Sequence, residues 1–556
     1  MEALDNWTWA RIGDLVSEKG IFVDGDWVES KDQDPKGDVR LIQLGDIGDG
    51  KYNNRSSRFL TSLKAQELKC TFLKKDDLLI ARMPDPLGRA CIFPGDSKPA
   101  VTVVDVCVVR TCCDIDHRWL MHMINSPEFR RRVSALQSGS TRKRISRKNL
   151  ATILLPVAPL VEQRAIVAKI EALFSELDKG VEQLQTIKQQ LKQYRQAVLK
   201  AAFEGKLTAA WRAEQQAAGN LPTADDLLEQ IKKERKERYQ QQLRKWELAV
   251  IDWEAEGGRE SGRKKPAKPS IPKAASDLAG TELAHLPVLP GQWRWVALGQ
   301  LCESVRNGIS EKPSDSPPGF PILRINAVRP MSVHLDETRY HDRPRDEVET
   351  FFIQSGDLLF TRYNGSPDLV GVCGMVRGCS SSILYPDKLI RVSLAAPFAV
   401  SAFVEIAANS GASRDFVVSR ARTTAGQTGV SGEDVRNIPL PLPPLPELER
   451  IVDEASFRLS AIDDIEKAVG CAMNQAETLR QSILKKALEG RLLSDTELAA
   501  VRNDAQYEPA DKLLERIRAK RGLGEEPSGS RRSGTGGKTT GPDRTRREAA
   551  ETRSEA

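Results

Sequence analysis

Two long stretches of the chain place apolar residues at steps of three and four. The first runs Ile166, Ile170, Leu173, Leu177, Val181, Leu184, Ile187, Leu191, Tyr194, Val198 and Ala201. The second runs Ile451, Ala455, Leu459, Ile462, Ile465, Val469, Met473, Ala476, Leu479 and Ile483. This spacing keeps one face of a helix apolar over many turns, so it predicts two long helices with heptad-like seams. Both stretches end at Glu-Gly, Glu204-Gly205 and Glu489-Gly490, where glycine accepts the left-handed conformation that stops a helix. At a rise of about 1.5 Å per residue each helix is roughly 60–70 Å long. Neither can bury its stripe alone, so the two are expected to pack on each other.

Elsewhere the pattern changes to short apolar runs broken by Gly, Pro and Asp: VRLIQLGDI, DDLLIAR, AVTVVDVCVVR, FPILRINAV and GDLLFTR. These predict short strands, with helical stretches near 117–136 and 397–420, and hence mixed α and β domains.

The whole arrangement occurs twice. Gly490 follows Gly205 by 285 positions, and LPLPPLPEL at 440–448 follows LPVAPLVEQ at 155–163 by the same offset. Trp7 and Trp9 recur as Trp293 and Trp295, DDLLIAR as GDLLFTR, and ADDLLEQI at 224–231 as ADKLLERI at 510–517. Each repeat therefore has a Trp-marked start, a variable stretch, a proline turn, a long helix and a charged helical tail. The variable stretches, about 16–150 and 302–436, agree only at scattered anchors. The prolines at 439, 441, 443, 444 and 446 are read as rigid elbows into the second helix.

The segments drawn on this basis are 1–158, the first mixed domain; 159–208, the first helix; and 209–290, a central region with the charged helix KKERKERYQQQLRKWE and a Gly, Lys and Pro-rich linker. They continue with 291–443, the second mixed domain; 444–493, the second helix; 494–520, a C-terminal helix; and 521–556, a Gly, Ser, Arg and Thr-rich tail expected to be disordered.

Composition narrows the picture little. The 556 residues carry a net charge of +6 from 83 basic and 77 acidic side chains, so any electrostatic argument has to be local. The nine cysteines are scattered without a CxxC, and the adjacent Cys112 and Cys113 suit neither an ordinary disulfide nor a tetrahedral zinc site. No apolar run is long enough to span a membrane, and the N-terminus lacks the order of a signal peptide. The expectation is a soluble cytoplasmic protein with reduced cysteines.

Candidate chemistry is mostly excluded. GTGGKTTG at 534–541 lacks the first glycine of a phosphate loop, where Arg532 stands, and no strand precedes it. NSPEF at 125–129 lacks the second proline of a base-gripping methyltransferase motif and reads as a helix cap. The five histidines show neither metal spacing nor a nucleophile partner. No catalytic and no metal-binding residues are assigned.

Local basic charge is the remaining signal. Between Glu128 and Lys148 eight basic residues meet one acidic residue, around the turn that carries Ser140 and Thr141 and is followed by Arg142, Lys143 and Arg144. The same frame in the second repeat holds a Gly, Thr and Gln loop with Gln427 and Thr428. Guanidinium, ammonium, hydroxyl and amide groups of this kind contact phosphates and base edges, although a charge run is also what a solvated face looks like. Arg82 and Arg362 follow the DLL strands and project next to loops, the second beside Tyr363 and Asn364. An intradomain salt bridge is the alternative for both arginines.

Two unlike inserts, each followed by an LPxxPLxEQ-like turn and a long helix ending in EGKLT or EGRLL, resemble the specificity subunit of type I restriction-modification systems. Pro156, Pro159, Leu160, Glu162, Gln163, Arg164 and Ile166 carry the family's first turn, and AWRAEQ and LPTADDLLEQIKKER its central region. The second turn departs, with Leu448 where the glutamine is usual. The resemblance, over about 1–520, implies an α+β fold: two target-recognition domains separated by paired long antiparallel coiled-coil helices, in a pseudo-two-fold duplication. It implies double-stranded DNA as ligand, each domain reading one half of a bipartite asymmetric site, with the helices as ruler. It also implies a non-catalytic subunit that docks two modification subunits and, in the restriction complex, translocase-nuclease subunits. S-adenosylmethionine, ATP and Mg would be bound by those partners, and none by this chain. The alternative from another class is a coiled-coil adaptor whose inserts bind protein, which leaves the basic loop at 139–148 without a use.

Overall fold

A computed structural model describes residues 6–16, 20–111, 114–139, 142–258, 264–269, 276–379, 382–424 and 427–520; Cys112, Cys113, Ser140, Thr141 and the tail from 521 lie outside them. The chain forms two compact units, Met1–Gly180 with Gln475–Ala556, and Val181–Asn474.

In the first unit the strand Thr8–Arg11 pairs antiparallel with Leu154–Val157, so the insert enters and leaves its frame at one place. Between them lies an antiparallel sheet in the order Ile21–Asp24, Val106–Arg110, Leu78–Ala81, Ala90–Ile92. The predicted DLL strand is its fully buried member. Its period of two sends Leu78 and Ile80 into the cluster of Trp119, Leu120, Ile124 and Phe129, and Leu79 and Ala81 into the cluster of Ile42, Phe93 and Val108. A second sheet of Phe59–Leu60, Val39–Ile42 and Ala100–Thr102 contains a parallel pair.

The second unit repeats this frame. Arg294–Ala297 pairs with Pro439–Leu442, and the sheet order is Cys302–Asn307, Leu389–Leu394, Leu358–Thr361, Cys373–Met375. The peripheral strands repeat in outline: Phe320–Leu323 pairs antiparallel with Thr338–His341 and bridges in parallel to Leu384, as Val39–Ile42 pairs with Phe59–Leu60 and Ala100–Thr102, and the short pair Val328–Arg329 with Ser332–Val333 is added. The predicted helical stretches are each broken in two, as His117–Ile124 and Pro127–Ala135, and as Phe398–Ala408 and Gly411–Arg420.

At the first break Ser126 accepts from the Phe129 N–H as the expected cap, but Asn125 does something else. Its buried amide takes the Ala90 N–H (2.9 Å) and donates to the Ala90 carbonyl (2.8 Å), mimicking a neighbouring strand. Asn409 does the same to Cys373, at 3.1 and 2.7 Å.

The two long helices are Leu160–Phe203 and Leu445–Leu488, 44 residues each. Both end in the same glycine motif. The Lys206 N–H reaches the Ala201 carbonyl (2.8 Å) and Arg491 reaches Lys486 (2.8 Å), with Gly205 at φ +66 and Gly490 at φ +64. Their pairing is antiparallel. In the first unit Asp178 meets Arg480, and Ile166, Val167 and Ile170 share a buried cluster with Ile483, Leu484 and Leu488. In the second, Arg195 bonds Asp463 (2.5 Å) and Glu466 (3.1 Å) beside Leu191, Val198 and Ile462. The predicted stripes are only partly covered: Ile187, Tyr194, Ile465 and Leu479 are exposed, because a two-helix seam is narrower than the apolar face the spacing marks out. The elbow reading of the prolines holds for Pro443 and Pro444, which link strand to helix, and is corrected for the others. Pro439 and Pro441 lie in a strand of a two-stranded sheet, and Pro446 occupies the helix's first turn, where its missing N–H is no loss.

Each tail packs with the head of the other repeat. Leu227, Leu228 and Ile231 are buried with Trp293, and the Ala224 N–H donates to Gln292 (3.0 Å). Leu513, Leu514 and Ile517 are buried with Trp7, and the Ala510 N–H donates to Asn6 (3.1 Å).

Candidate functional site

In the first unit the end of the Leu78–Ala81 strand is the organising point. Arg82 follows it, half-buried, and its guanidinium donates from Nε to the Ile145 carbonyl (3.0 Å) and from Nη1 to Asp24 (2.8 Å) and the Val104 carbonyl (3.0 Å). Of the two readings of Arg82, this geometry is the intradomain ion pair. The Ile145 N–H returns to the Arg82 carbonyl (3.1 Å), so the arginine anchors the base of a hairpin closed by paired bonds between Ser138 and Arg144.

Arg142, Lys143 and Arg144 project from that hairpin, exposed. The rest of the basic run is not one patch. Arg130 pairs with Asp49 (2.7 Å), Arg131 and Arg132 with Glu128, and Arg147 with Asp24 (3.4 Å). Those carboxylates are distant in sequence or one turn away on the helix, so counting charges along the chain overstated the patch.

The hairpin forms one wall of an open cleft of about 1000 Å³. The other walls come from a part of the chain in which the sequence shows no candidate: Trp27, Gln33, Gln43 and Arg58. A tryptophan in a polar stretch, DGDWVES, was the one available signal, since such a ring has no helix or strand face to join.

In the second unit Arg362 holds the equivalent place. Its N–H donates to Lys388 (2.8 Å) as that of Arg82 does to Asp105 (2.8 Å), and its carbonyl receives Val430 (2.9 Å). No carboxylate pairs with it among the described residues; its guanidinium lies 4.8 Å from the Tyr363 ring centroid. Tyr363–Asn364 extends the hairpin Arg422–Thr424, Gln427–Gly429 into a three-stranded sheet, which brings together two stretches that the sequence offered separately, Arg362 to Asn364 and Gln427 to Thr428. Thr428 and Thr423 hydroxyls bond across it (3.0 Å), and Gly429 has to be glycine, because a Cβ there would stand 2.2 Å from the Tyr363 ring. A cleft of about 420 Å³ beside this sheet is lined by Arg362, Tyr363, Glu433, Asp434, Arg420 and Arg422. The last two arginines were not singled out from the sequence.

Among the described residues no cluster of His, Cys, Asp and Glu is arranged to hold a metal, and no helix is long and apolar enough to cross a membrane. Burial pushes the Cys91 and Cys302 thiols up to about 12, so both are inert at neutral pH.

The family model for the type I restriction modification DNA specificity domain matches residues 5–193. The chain is 30% identical over 404 residues to the EcoKI specificity subunit of Escherichia coli K12, covering 72% of this chain and 71% of that relative. It is 24% identical over 414 residues to the StySPI specificity subunit of Salmonella potsdam, covering 74% and 73%. Among solved structures, a chain from work on complex assembly and conformational transition of the type I R-M system matches with a TM-score of 0.55 at 16% identity, over 88% of this chain and 100% of that one, a likeness of fold.

Proposed function

Because the chain belongs to the DNA-specificity subunits of type I restriction-modification systems, the non-catalytic members of their complexes, we propose that its two units read the two halves of a bipartite, asymmetric DNA site. Residues 1–158 and 291–443 are the target-recognition domains, and the long helices set the gap between half-sites and dock two modification subunits. Restriction subunits join that assembly in the cytoplasm. S-adenosylmethionine, ATP and Mg are bound by the partners.

One observation carries the reading: the two units share a sheet order and strand frame but differ in the residues and size of their clefts. A common frame with unlike walls is what two unlike half-sites require. In the first unit Arg142, Lys143 and Arg144 meet phosphates, with Arg82 holding their hairpin in place. In the second, Arg362, Tyr363, Asn364, Gln427 and Thr428 form the corresponding contact surface. The family resemblance implies that the modification subunits methylate adenine, so this chain has only to deliver the correct adenine.

Exchange of residues 16–150 for the insert of another family member tests this. One half of the methylated sequence changes and the other half and the gap stay; a site unaltered in both halves contradicts it.

A further inference from the structure

Resting on the DNA-reading function, we propose that the open cleft of the first unit is its base-reading surface, with Gln43 and Trp27 as specificity-determining residues. Gln43 supplies the amide that bonds a base edge, and Trp27 the apolar face that packs on the neighbouring nucleotide. The arginines around them hold the backbone.

Three features carry this. Trp27 is 70% exposed at the cleft wall, with its Nε1–H on Glu29 (3.2 Å), so its ring supports no core. A large ring left in water beside a polar cleft is apolar area awaiting a partner.

The Gln43 wall is rigid. It leaves the strand Val39–Ile42, and the fully buried Asp46 carboxylate takes the backbone N–H groups of Gln43 (2.7 Å), Arg55 (2.5 Å) and Ser56 (2.7 Å). Three bonds to one buried carboxylate fix the backbone from which Gln43 projects, and an amide carried on a fixed backbone is suited to bidentate recognition of adenine.

The third feature is the charge around the cleft. Arg142 and Arg144 on the hairpin and Arg58 on the opposite side are exposed, and the first two have no ion-pair partner among the described residues. An aromatic ring and an amide flanked by exposed guanidinium groups match a nucleotide better than a protein surface, because the cations sit where a phosphate backbone passes. In the second unit the equivalent strand, Phe320–Leu323, leads into Arg324 instead of a glutamine, as a reader of a different half-site should.

The test uses the full chain co-expressed with its modification subunits in a host without other adenine methylation, with methylated adenines mapped genome-wide. Gln43→Ala and Trp27→Ala relax the motif at one or two adjacent positions of one half, where discrimination falls about fivefold to a hundredfold. The other half and the gap stay as in wild type, and Gln43→Asn, which keeps the amide, retains the wild-type motif at lower occupancy. A motif unchanged in both halves for both alanine variants overturns the proposal. So does loss of co-purification with the modification subunits, which would make the cleft a subunit interface, and so does equal loss of all methylation in Gln43→Ala and Gln43→Asn, which would make Gln43 structural. A wild-type chain that directs no sequence-dependent methylation counts instead against the DNA-reading function itself.

Discussion

The indole Nε1–H of Trp293 donates to the buried carboxylate of Glu447 across 2.9 Å. Trp7 makes the same bond to Glu162 at 2.6 Å. Each carboxylate is completed by the tail of the other repeat: Glu447 by Thr208 (2.7 Å) and Arg212 (2.7 Å), Glu162 by Tyr507 (3.1 Å) and Arg502 (3.5 Å). The Trp-marked head, the Glu of the proline turn and the residues after the glycine stop are therefore three parts of one buried knot, made twice. That is why these motifs recur together at one offset.

Removing one member of such a knot strands the others. Glu447→Ala leaves Trp293, Thr208 and Arg212 without their acceptor, and breaking a buried pair in this way costs about 3–5 kcal/mol. Denaturant unfolding of the full chain should show that loss in the second unit, with Glu447→Gln losing less because it keeps one acceptor. A change within the noise for Glu447→Ala would mean the knot is ornamental.

Glycine has opposite meanings at the ends and in the middle of the helices. Gly205 sits at φ +66, and a Cβ there would come within 2.8 Å of the Trp293 ring, so Gly205→Ala costs roughly 1–2 kcal/mol from backbone strain alone. Gly180 lies inside the first helix with nothing within 4 Å of a Cβ, so Gly180→Ala gains about 0.5–1 kcal/mol. Thermal melts should move in opposite directions.

Much of this was legible in the sequence and some could not have been. The helices, their stops and the buried DLL strands follow from local spacing, because a 3.6-residue period and a glycine stop are properties of neighbouring residues. Arg82 was ambiguous because its partner Asp24 is 58 residues away, and only the sheet order brings the strand that ends in Asp24 near it. The asparagine before Ser126 read as part of a cap because its true partner, the backbone of Ala90, has no side-chain signature. Trp27 and Gln43 were missed for a further reason: the repeat comparison weights what the halves share, and these residues lie in what they do not.

The exposed hairpin and its anchor are separable by salt. Neutralising Arg142, Lys143 and Arg144 together should lower the slope of log K against log salt by up to about 3, near 0.9 for each phosphate no longer neutralised. Arg82→Lys keeps the charge but cannot reproduce the three bonds that hold the hairpin, so it weakens binding with the slope unchanged. An identical slope change in both variants would place Arg82 on a phosphate as well.

Helix length should control spacing alone. Lengthening both long helices by one turn, about 5.4 Å, changes the gap between half-sites and leaves both half-sites as they were. Altered half-sites at a constant gap would assign the helices a different job.

The most direct measurement is a genome-wide map of adenine methylation directed by the wild-type chain with its modification subunits. The expected result is one bipartite motif, with two unlike halves separated by a fixed unspecified gap. A contiguous motif, or a palindrome with identical halves, would contradict the claim that the two units read different DNA.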